Sequence, residues 1–151
     1  MINSTYTLGS YKASDIIKQK LIANGGRVVV YTARNLPCEI EASQDGVSFS
    51  SNKLPNKPQF RYDVFDVIVD LLISQGGRAP KGNGRNCKLG DPKCDSTTVV
   101  GVIGYNYFGK RTGEATLDPV FVLAAVLEWA DIAHNERGEL VLTNSYKLKI
   151  R

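Results

Sequence analysis

The sequence predicts an α+β fold, in which an N-terminal helix and a small antiparallel β-hairpin sheet precede a helical part that ends in a terminal β-hairpin. Two observations carry this prediction. Apolar residues recur at helical spacing in three separate segments, whereas alternating apolar and polar residues flank the turn signal Asp45-Gly46. The 151-residue chain is 42% hydrophobic and 23% charged, which is typical of a globular protein with its own core.

The N-terminal part is predicted to contain one helix and one sheet. Residues 11–26 predict a helix that stops at two glycines. Residues 27–34 are rich in β-branched side chains and predict a strand, and residues 38–51 predict a hairpin. The inward face of this hairpin is expected to carry Cys38, Ile40, Ala42, Val47 and Phe49.

A loop with two prolines at residues 52–60 separates this part from the next. The sequence therefore predicts subdomains at 1–55 and 60–151, and it leaves one compact domain open as the alternative. Residues 61–77 predict the second helix, again ended by two glycines. Residues 97–108 leave helix and strand both open, because their valines and tyrosines favour a strand while a polar cap precedes them.

The last predicted helix covers residues 118–135, with Asp118 as its cap and Pro119 at its first position. It is apolar on most sides, so we expect it to be the central core helix. Residues 139–143 then predict a strand, and the alternating residues 146–150 predict its partner in the terminal hairpin.

The net charge of +4 is concentrated in residues 76–94 (GGRAPKGNGRNCKLGDPKC), which we call the basic loop. This stretch contains five of the 19 basic residues but only one of the 15 acidic residues, so the rest of the chain is neutral. A basic, glycine-rich segment on a neutral body attracts phosphate groups. The alternative is a solvated surface loop without a partner, and the composition leaves both open.

The order of elements in the second half resembles a winged helix-turn-helix domain. The resemblance is carried by VFDVIVDLLISQGGRA (residues 64–79) as a first helix and by FVLAAVLEWADIAHNERGELVLT (residues 121–143) as a last helix entering a wing. In that family the last helix usually enters the DNA major groove with polar and basic side chains. Here it has no Lys or Arg, so the basic loop and the wing would have to make the contact.

The residues predicted to contact nucleic acid share a cationic or aromatic side chain in the basic loop, in the segment GYNYFGKR, or near the C-terminus. They are Arg78, Lys81, Arg85, Lys88, Lys93, Tyr105, Lys110, Arg111, Lys147 and Lys149. Aromatic rings stack on exposed bases and cations hold phosphates, which is why this combination favours nucleic acid.

Other site classes are disfavoured by spacing. The basic loop lacks the Gly-Lys-Ser/Thr ending of a phosphate-binding loop, and no strand is predicted before it. Cys87 and Cys94 are too far apart in sequence for a typical zinc pair, and the sequence leaves open whether they are free. His134 is expected to cap the core helix, and Glu39 and Glu41 to lie on a solvated strand face. We therefore predict no catalytic residue, metal or cofactor.

Taken together, the sequence favours a small non-enzymatic DNA-binding protein of regulator, phage or defence type. The alternative is a protein-interaction or inhibitor module that binds an acidic protein or forms a homodimer. An enzyme of another type would require His134, Cys87 or the Glu39/Glu41 pair to converge in one pocket. The N-terminal residues contain no secretory pattern and no apolar run is long enough for a bilayer, which predicts a cytoplasmic location without a membrane partner.

Overall fold

The structure is a computed structural model that describes residues 11–57 and 59–150. Within these residues the chain forms five helices and two antiparallel sheets, one of four strands and one of three. The predicted α+β class is confirmed.

The first sheet is a meander that follows helix α1 (Ala13–Ala23). Its strands lie in chain order, and each pairs antiparallel with its neighbour. They are β1 (Arg27–Tyr31), β2 (Pro37–Ala42), β3 (Ser48–Ser51) and β4 (Phe60–Arg61).

Alternation along β2 separates a buried face from an exposed one. Cys38 and Ile40 are buried, as predicted, and they share the core with Leu21 of α1. Phe49 is buried too, but Val47 precedes β3 and is exposed, so its predicted inward position is wrong. The alternation of β2 is clear because only one of its faces meets the core.

The second half begins with α2 (Asp63–Ser74) and contains the second sheet. Strand order in this sheet is β5-β7-β6, so the last strand of the chain lies in the centre. The remaining elements are β5 (Arg78–Pro80), α3 (Val99–Val102), α4 (Val120–Trp129), β6 (Ala133–Glu136), β7 (Glu139–Leu142) and α5 (Asn144–Lys149). A strand therefore lies inside the basic loop, where the sequence predicts none.

One continuous core joins the two halves. Its buried apolar residues run from Ala13 in α1 to Tyr146 in α5. The ring of Phe49 in the first sheet stacks on Phe65 of α2, with 5.4 Å between the ring centroids. The boundary between subdomains 1–55 and 60–151 stays a prediction.

Within the ambiguous segment 97–108, residues 99–107 are helical, which resolves the ambiguity of the sequence. The Oγ1 atom of Thr98 accepts a hydrogen bond from the N–H of Gly101 (3.0 Å), so Thr98 caps α3. The helix continues as a π-helical turn over Ile103–Tyr107. A Cβ atom at Gly101 would overlap the backbone carbonyl of Asp95, so this glycine lets α3 pack directly on the basic loop's end.

The predicted helix over 118–135 is too long, because α4 ends at Trp129 and Ala133–Glu136 is strand β6. The N–H of Asp131 donates to the carbonyl of Glu128, and the N–H of Ile132 donates to that of Leu127. These two bonds form a Schellman motif with Asp131 in the left-handed region (φ 58°). His134 therefore lies on a strand rather than at a helix end.

The predicted strand over residues 146–150 is also wrong, since this segment belongs to α5. Strand β7 has β5 on one side and β6 on the other, so neither edge is left for a third partner. The Oγ1 atom of Thr143 accepts a hydrogen bond from the N–H of Tyr146 (3.0 Å) and caps the helix. The terminal hairpin of the fold is β6–β7.

Candidate functional site

A cleft between the two halves of the chain brings together four cationic residues, and we call it the basic cleft. Arg34 and Lys53 come from the N-terminal half, whereas Lys81 and Arg85 come from the basic loop. The cleft has a volume of about 730 Å³. Its other lining residues include Leu36, Cys38, Asn83, Asp118, Phe121 and Asn135.

Two backbone hydrogen bonds fix the position of Lys81 in this cleft. Its N–H donates to the carbonyl of Gly138 in the β6–β7 turn (2.8 Å), and its own carbonyl accepts from the N–H of Val100 (3.1 Å). Gly82 follows with a φ of 74°, and a Cβ atom there would lie 2.7 Å from Cβ of Thr98. The chain can therefore turn into the cleft at this point only with glycine.

Asp118 joins the basic loop to the start of α4. Its Oδ2 atom accepts the N–H of Gly84 (3.0 Å), and its Oδ1 atom accepts the N–H of Val120 (3.2 Å). Both carboxylate oxygens are thus engaged by the backbone. The acidic residue of the cleft serves as a structural tie.

The opposite wall is the loop between β1 and β2. The N–H of Thr32 donates to the carbonyl of Leu36 (2.9 Å), and the N–H of Leu36 donates to Oγ1 of Thr32 (3.1 Å). Asn35 takes a left-handed conformation (φ 64°) that closes the loop. Arg34 is consequently presented from a hydrogen-bonded turn.

Phe121 adds an aromatic surface to the cleft. It lies in the first turn of α4 and keeps 48% of its surface exposed, whereas Val122 to Leu127 are all buried. Helix α4 packs against β1 and β6, so little else of it reaches solvent. The prediction of a central core helix is confirmed.

Burial changes the acid–base behaviour of two groups in the cleft. Loss of solvation lowers the pKa of the Lys81 ammonium, an effect that the charge of Glu136 partly offsets. Burial likewise raises the pKa of the Cys38 thiol, and here the nearby ammonium of Lys53 opposes the shift. An incompletely hydrated cation such as Lys81 gains more from a bound anion than a fully hydrated one does.

The rest of the basic loop packs against residues 109–115. The N–H of Leu89 donates to the carbonyl of Glu114 (2.9 Å), and that of Gly113 donates to the carbonyl of Leu89 (2.8 Å). These bonds hold Lys88 close to the segment that carries Lys110 and Arg111, and all three side chains are exposed. Lys93 is exposed on a 3₁₀ turn over Pro92–Cys94.

Cys87 and Cys94 form a disulfide bond that closes the tip of the basic loop. The sequence leaves their state open, so the bond is a finding of the structure. Cys38 remains a free, buried thiol.

Three other predicted residues lie apart from the cleft. Arg78 forms two hydrogen bonds to the Glu139 carboxylate, of 3.0 and 2.6 Å, so its charge is paired. Lys147 lies beside Gly77, at the end of β5 opposite Lys81, and Lys149 is in the same short helix. Of the ten predicted residues, only Lys81 and Arg85 line the basic cleft.

Tyr105 is half-buried, and its hydroxyl forms a 2.7 Å hydrogen bond with Oγ1 of Thr112. This contact pins the 109–115 segment to the π-helical turn. The Tyr105 side chain therefore makes a structural contact within the protein.

The cleft also includes residues that the sequence did not nominate, namely Arg34, Lys53, Phe121 and Asn135. Arg34 and Lys53 lie in ordinary turn segments, and no local charge cluster marks them. From the sequence alone, Phe121 is interpreted as a core residue, because its neighbours in the helix are apolar. An exposed aromatic side chain in the first helical turn can be recognised only once the packing partners are known.

The residues considered for catalysis are placed on different elements. His134 is exposed on β6, with Nδ1 3.5 Å from Oε2 of Glu128. Glu39 and Glu41 lie on the exposed face of β2, where Glu41 pairs with Arg27 (2.8 Å). Cys87 is in the disulfide and so carries no free thiol.

Across residues 11–57 and 59–150, no cluster of three or more His, Cys, Asp or Glu side chains is arranged to hold a metal ion. In the same part of the chain, no helix has the length and apolar character required to cross a bilayer. Neither a protein-family model, a curated protein nor a solved structure matches this chain at a significant level.

Proposed function

We propose that the protein is a non-enzymatic DNA-binding protein whose contact surface is the basic cleft together with the exposed part of the basic loop. The observation that carries the proposal is the convergence of Arg34, Lys53, Lys81 and Arg85 from two halves of the chain on one cleft. Phosphate contacts by such cations supply most of the affinity in sequence-independent DNA binding.

The order of elements from α2 to β7 is compatible with a winged-helix arrangement, which supports this proposal by analogy alone. In such domains the last helix normally enters the major groove. Helix α4 packs against β1 and exposes mainly Phe121 and Glu128, so we assign the DNA contact to the cleft and the loop.

Salt-dependent binding of a labelled duplex and a labelled single strand tests the proposal. The logarithm of the affinity should fall linearly with the logarithm of salt concentration, with a slope of about 0.7–0.9 for each phosphate contact. The double variant Lys81→Met/Arg85→Gln should lose about two contacts from that slope.

A charge-matched control is the double variant Lys147→Met/Lys149→Gln, which removes the same charge from α5. It should change the slope by less than half as much, because α5 lies at the far end of β5. Absence of binding to either form of DNA at low salt would refute the proposal.

A protein-interaction module is the second candidate. It is favoured by the exposed apolar side chains of Val29 and Tyr31 on β1 and of Leu36 in the following loop. This candidate predicts a sedimentation mass twice the 16.5 kDa of the chain, without DNA affinity. A monomer that binds DNA would exclude it.

A further inference from the structure

The basic cleft combines cations with an exposed aromatic ring, and this combination indicates a ligand that has both a negative charge and a flat apolar part. We propose that it holds one unpaired nucleotide of a single DNA strand, with the base against the ring of Phe121 and a phosphate between Lys81 and Arg85. The inference rests on the proposed function and specifies which form of DNA occupies the cleft.

The size of the cleft agrees with a ligand of this kind. Its volume of about 730 Å³ lies within the range of roughly 300–1,000 Å³ found for sites that enclose small molecules and cofactors. A nucleotide fills such a site, whereas an intact duplex can lie only across its mouth.

The lining requires a ligand with both an anionic and a flat apolar part. Four cationic side chains suit phosphate, but they do not explain the exposed ring of Phe121 or the exposed side chain of Leu36 in the same cleft. An apolar ligand would explain the ring and leave the cations without partners. A nucleotide satisfies both requirements, since aromatic rings stack on any base and cations hold its phosphate.

Asn135 provides an independent pointer to a ligand. Its N–H donates to Oε1 of Glu128 (2.8 Å), but its side-chain Oδ1 atom is buried without a hydrogen-bond partner among the described residues. Asn135 lines the cleft, so a small rotation of its side chain would present this acceptor to a donor bound there. The exocyclic amino group of cytosine or adenine is such a donor, and so is the N3–H of an unpaired thymine.

Stacking on Phe121 selects unpaired bases. In a duplex both faces of each base are covered by its neighbours, so the ring could reach a base face only after costly unstacking. A single strand offers its bases without that cost. The cleft is therefore expected to prefer single-stranded DNA to a duplex of the same sequence.

The test compares the affinity of the whole chain for a short labelled single strand and for the matched duplex. Phe121→Leu keeps apolar volume but removes the aromatic face, and it should weaken single-strand binding about tenfold while leaving duplex binding unchanged. Phe121→Tyr keeps the ring and should retain the affinity of the parent protein. Unfolding curves of both variants check that the fold is intact, which the exposure of Phe121 favours.

A second arm uses Asn135→Ala. This variant removes the side-chain acceptor and should weaken single-strand binding while leaving duplex binding unchanged. An unchanged affinity for the single strand would overturn the role given to Asn135.

Two results would separate this inference from the proposed function. DNA binding that favours the duplex, or that is insensitive to Phe121→Leu, would overturn the unpaired-nucleotide site and leave DNA binding in place. Absence of any DNA binding would overturn both.

Discussion

The N–H of Gly84 donates a 3.0 Å hydrogen bond to Oδ2 of Asp118, and this contact holds the basic loop against the first turn of α4. Because the other carboxylate oxygen accepts the N–H of Val120, one side chain ties Gly84 of the basic loop to the start of α4 on the same side of the cleft. The distance between the cations and the aromatic ring of Phe121 therefore depends on Asp118.

Asp118→Ala should lower the free energy of unfolding by about 1–3 kcal/mol, because it leaves two backbone N–H groups without their acceptor. Urea-induced unfolding measures the change. Asp70→Ala removes an exposed carboxylate from α2 and should alter stability by no more than about 0.5 kcal/mol. Equal stabilities of the two variants would show that the Gly84–Asp118 contact is not made in solution.

Gly101→Ala should destabilise the fold by at least about 3 kcal/mol. The new Cβ atom would overlap the carbonyl of Asp95, which is backbone and cannot rotate away. Gly25→Ala is the control, since it meets no atom within 4 Å and suffers only the strain of a left-handed φ of 82°. In thermal unfolding, the Tm of Gly101→Ala should lie well below that of Gly25→Ala. The reverse order of the two Tm values would contradict the packing of α3.

Lys81→Met should leave the free energy of unfolding at pH 7 unchanged or raise it by up to about 1 kcal/mol, although it weakens DNA binding. The reason is that folding partly desolvates this ammonium and lowers its pKa. Lys149→Met, on an exposed side chain, should change neither quantity noticeably.

The pH dependence of this effect has a definite sign. A lowered lysine pKa means that the unfolded chain binds more protons between the folded and the ordinary pKa, so stability rises with pH through that window. The difference in the free energy of unfolding between Lys81→Met and the parent protein should therefore become smaller at alkaline pH. An advantage that grows with pH would contradict the burial of Lys81.

Tyr146→Phe should cost about 1 kcal/mol at pH 7, because the Tyr146 hydroxyl donates to the carbonyl of Tyr11 (2.7 Å). Burial, assisted by the charges of Asp66 and Asp70, raises the pKa of Tyr146 to about 12. Between about pH 10 and 12 the unfolded chain ionises first, so the parent protein should lose up to about 1.4 kcal/mol per pH unit. Tyr146→Phe should lack this loss, and parallel stability curves for the two proteins would refute the assignment.

The disulfide bond predicts how many cysteine thiols react before and after reduction. Of the three cysteines, only Cys38 should react with a thiol reagent in denaturant before reduction, and all three should react afterwards. Cys87→Ala/Cys94→Ala should lower stability by about 2.5 kcal/mol through loss of the closed loop. Three reactive thiols in the purified, unreduced protein would contradict the bond.

The helix ends show which element boundaries can be predicted from the sequence. Helices α1 and α2 end in Schellman motifs in which glycine takes the left-handed position. Glycine is the residue most often found at this position, so it predicts a helix end from sequence. Helix α4 ends in the same motif with Asp131 in that position. Because aspartate is not a strong stop signal, the sequence extends this helix into what is strand β6.

The site was predictable in part, for a similar reason. Lys81 and Arg85 stand out because they lie in the one stretch that carries the excess charge. Arg34 and Lys53 are distant in sequence, and their cations join the cleft only when the first sheet packs beside the basic loop. Charge clusters along a chain are visible in sequence, whereas charge clusters across a cleft require the tertiary contacts.

The sequence by itself determined the α+β class, the buried positions Cys38 and Ile40 of β2, and the location of the positive charge. These features follow from side-chain periodicity and composition, which are local properties. Tertiary structure alone decided that residues 144–149 form a helix, that α4 is covered by β1, and that Phe121 faces a cleft. Each depends on which partner occupies a neighbouring edge or face, and that is settled by packing between residues far apart in the chain.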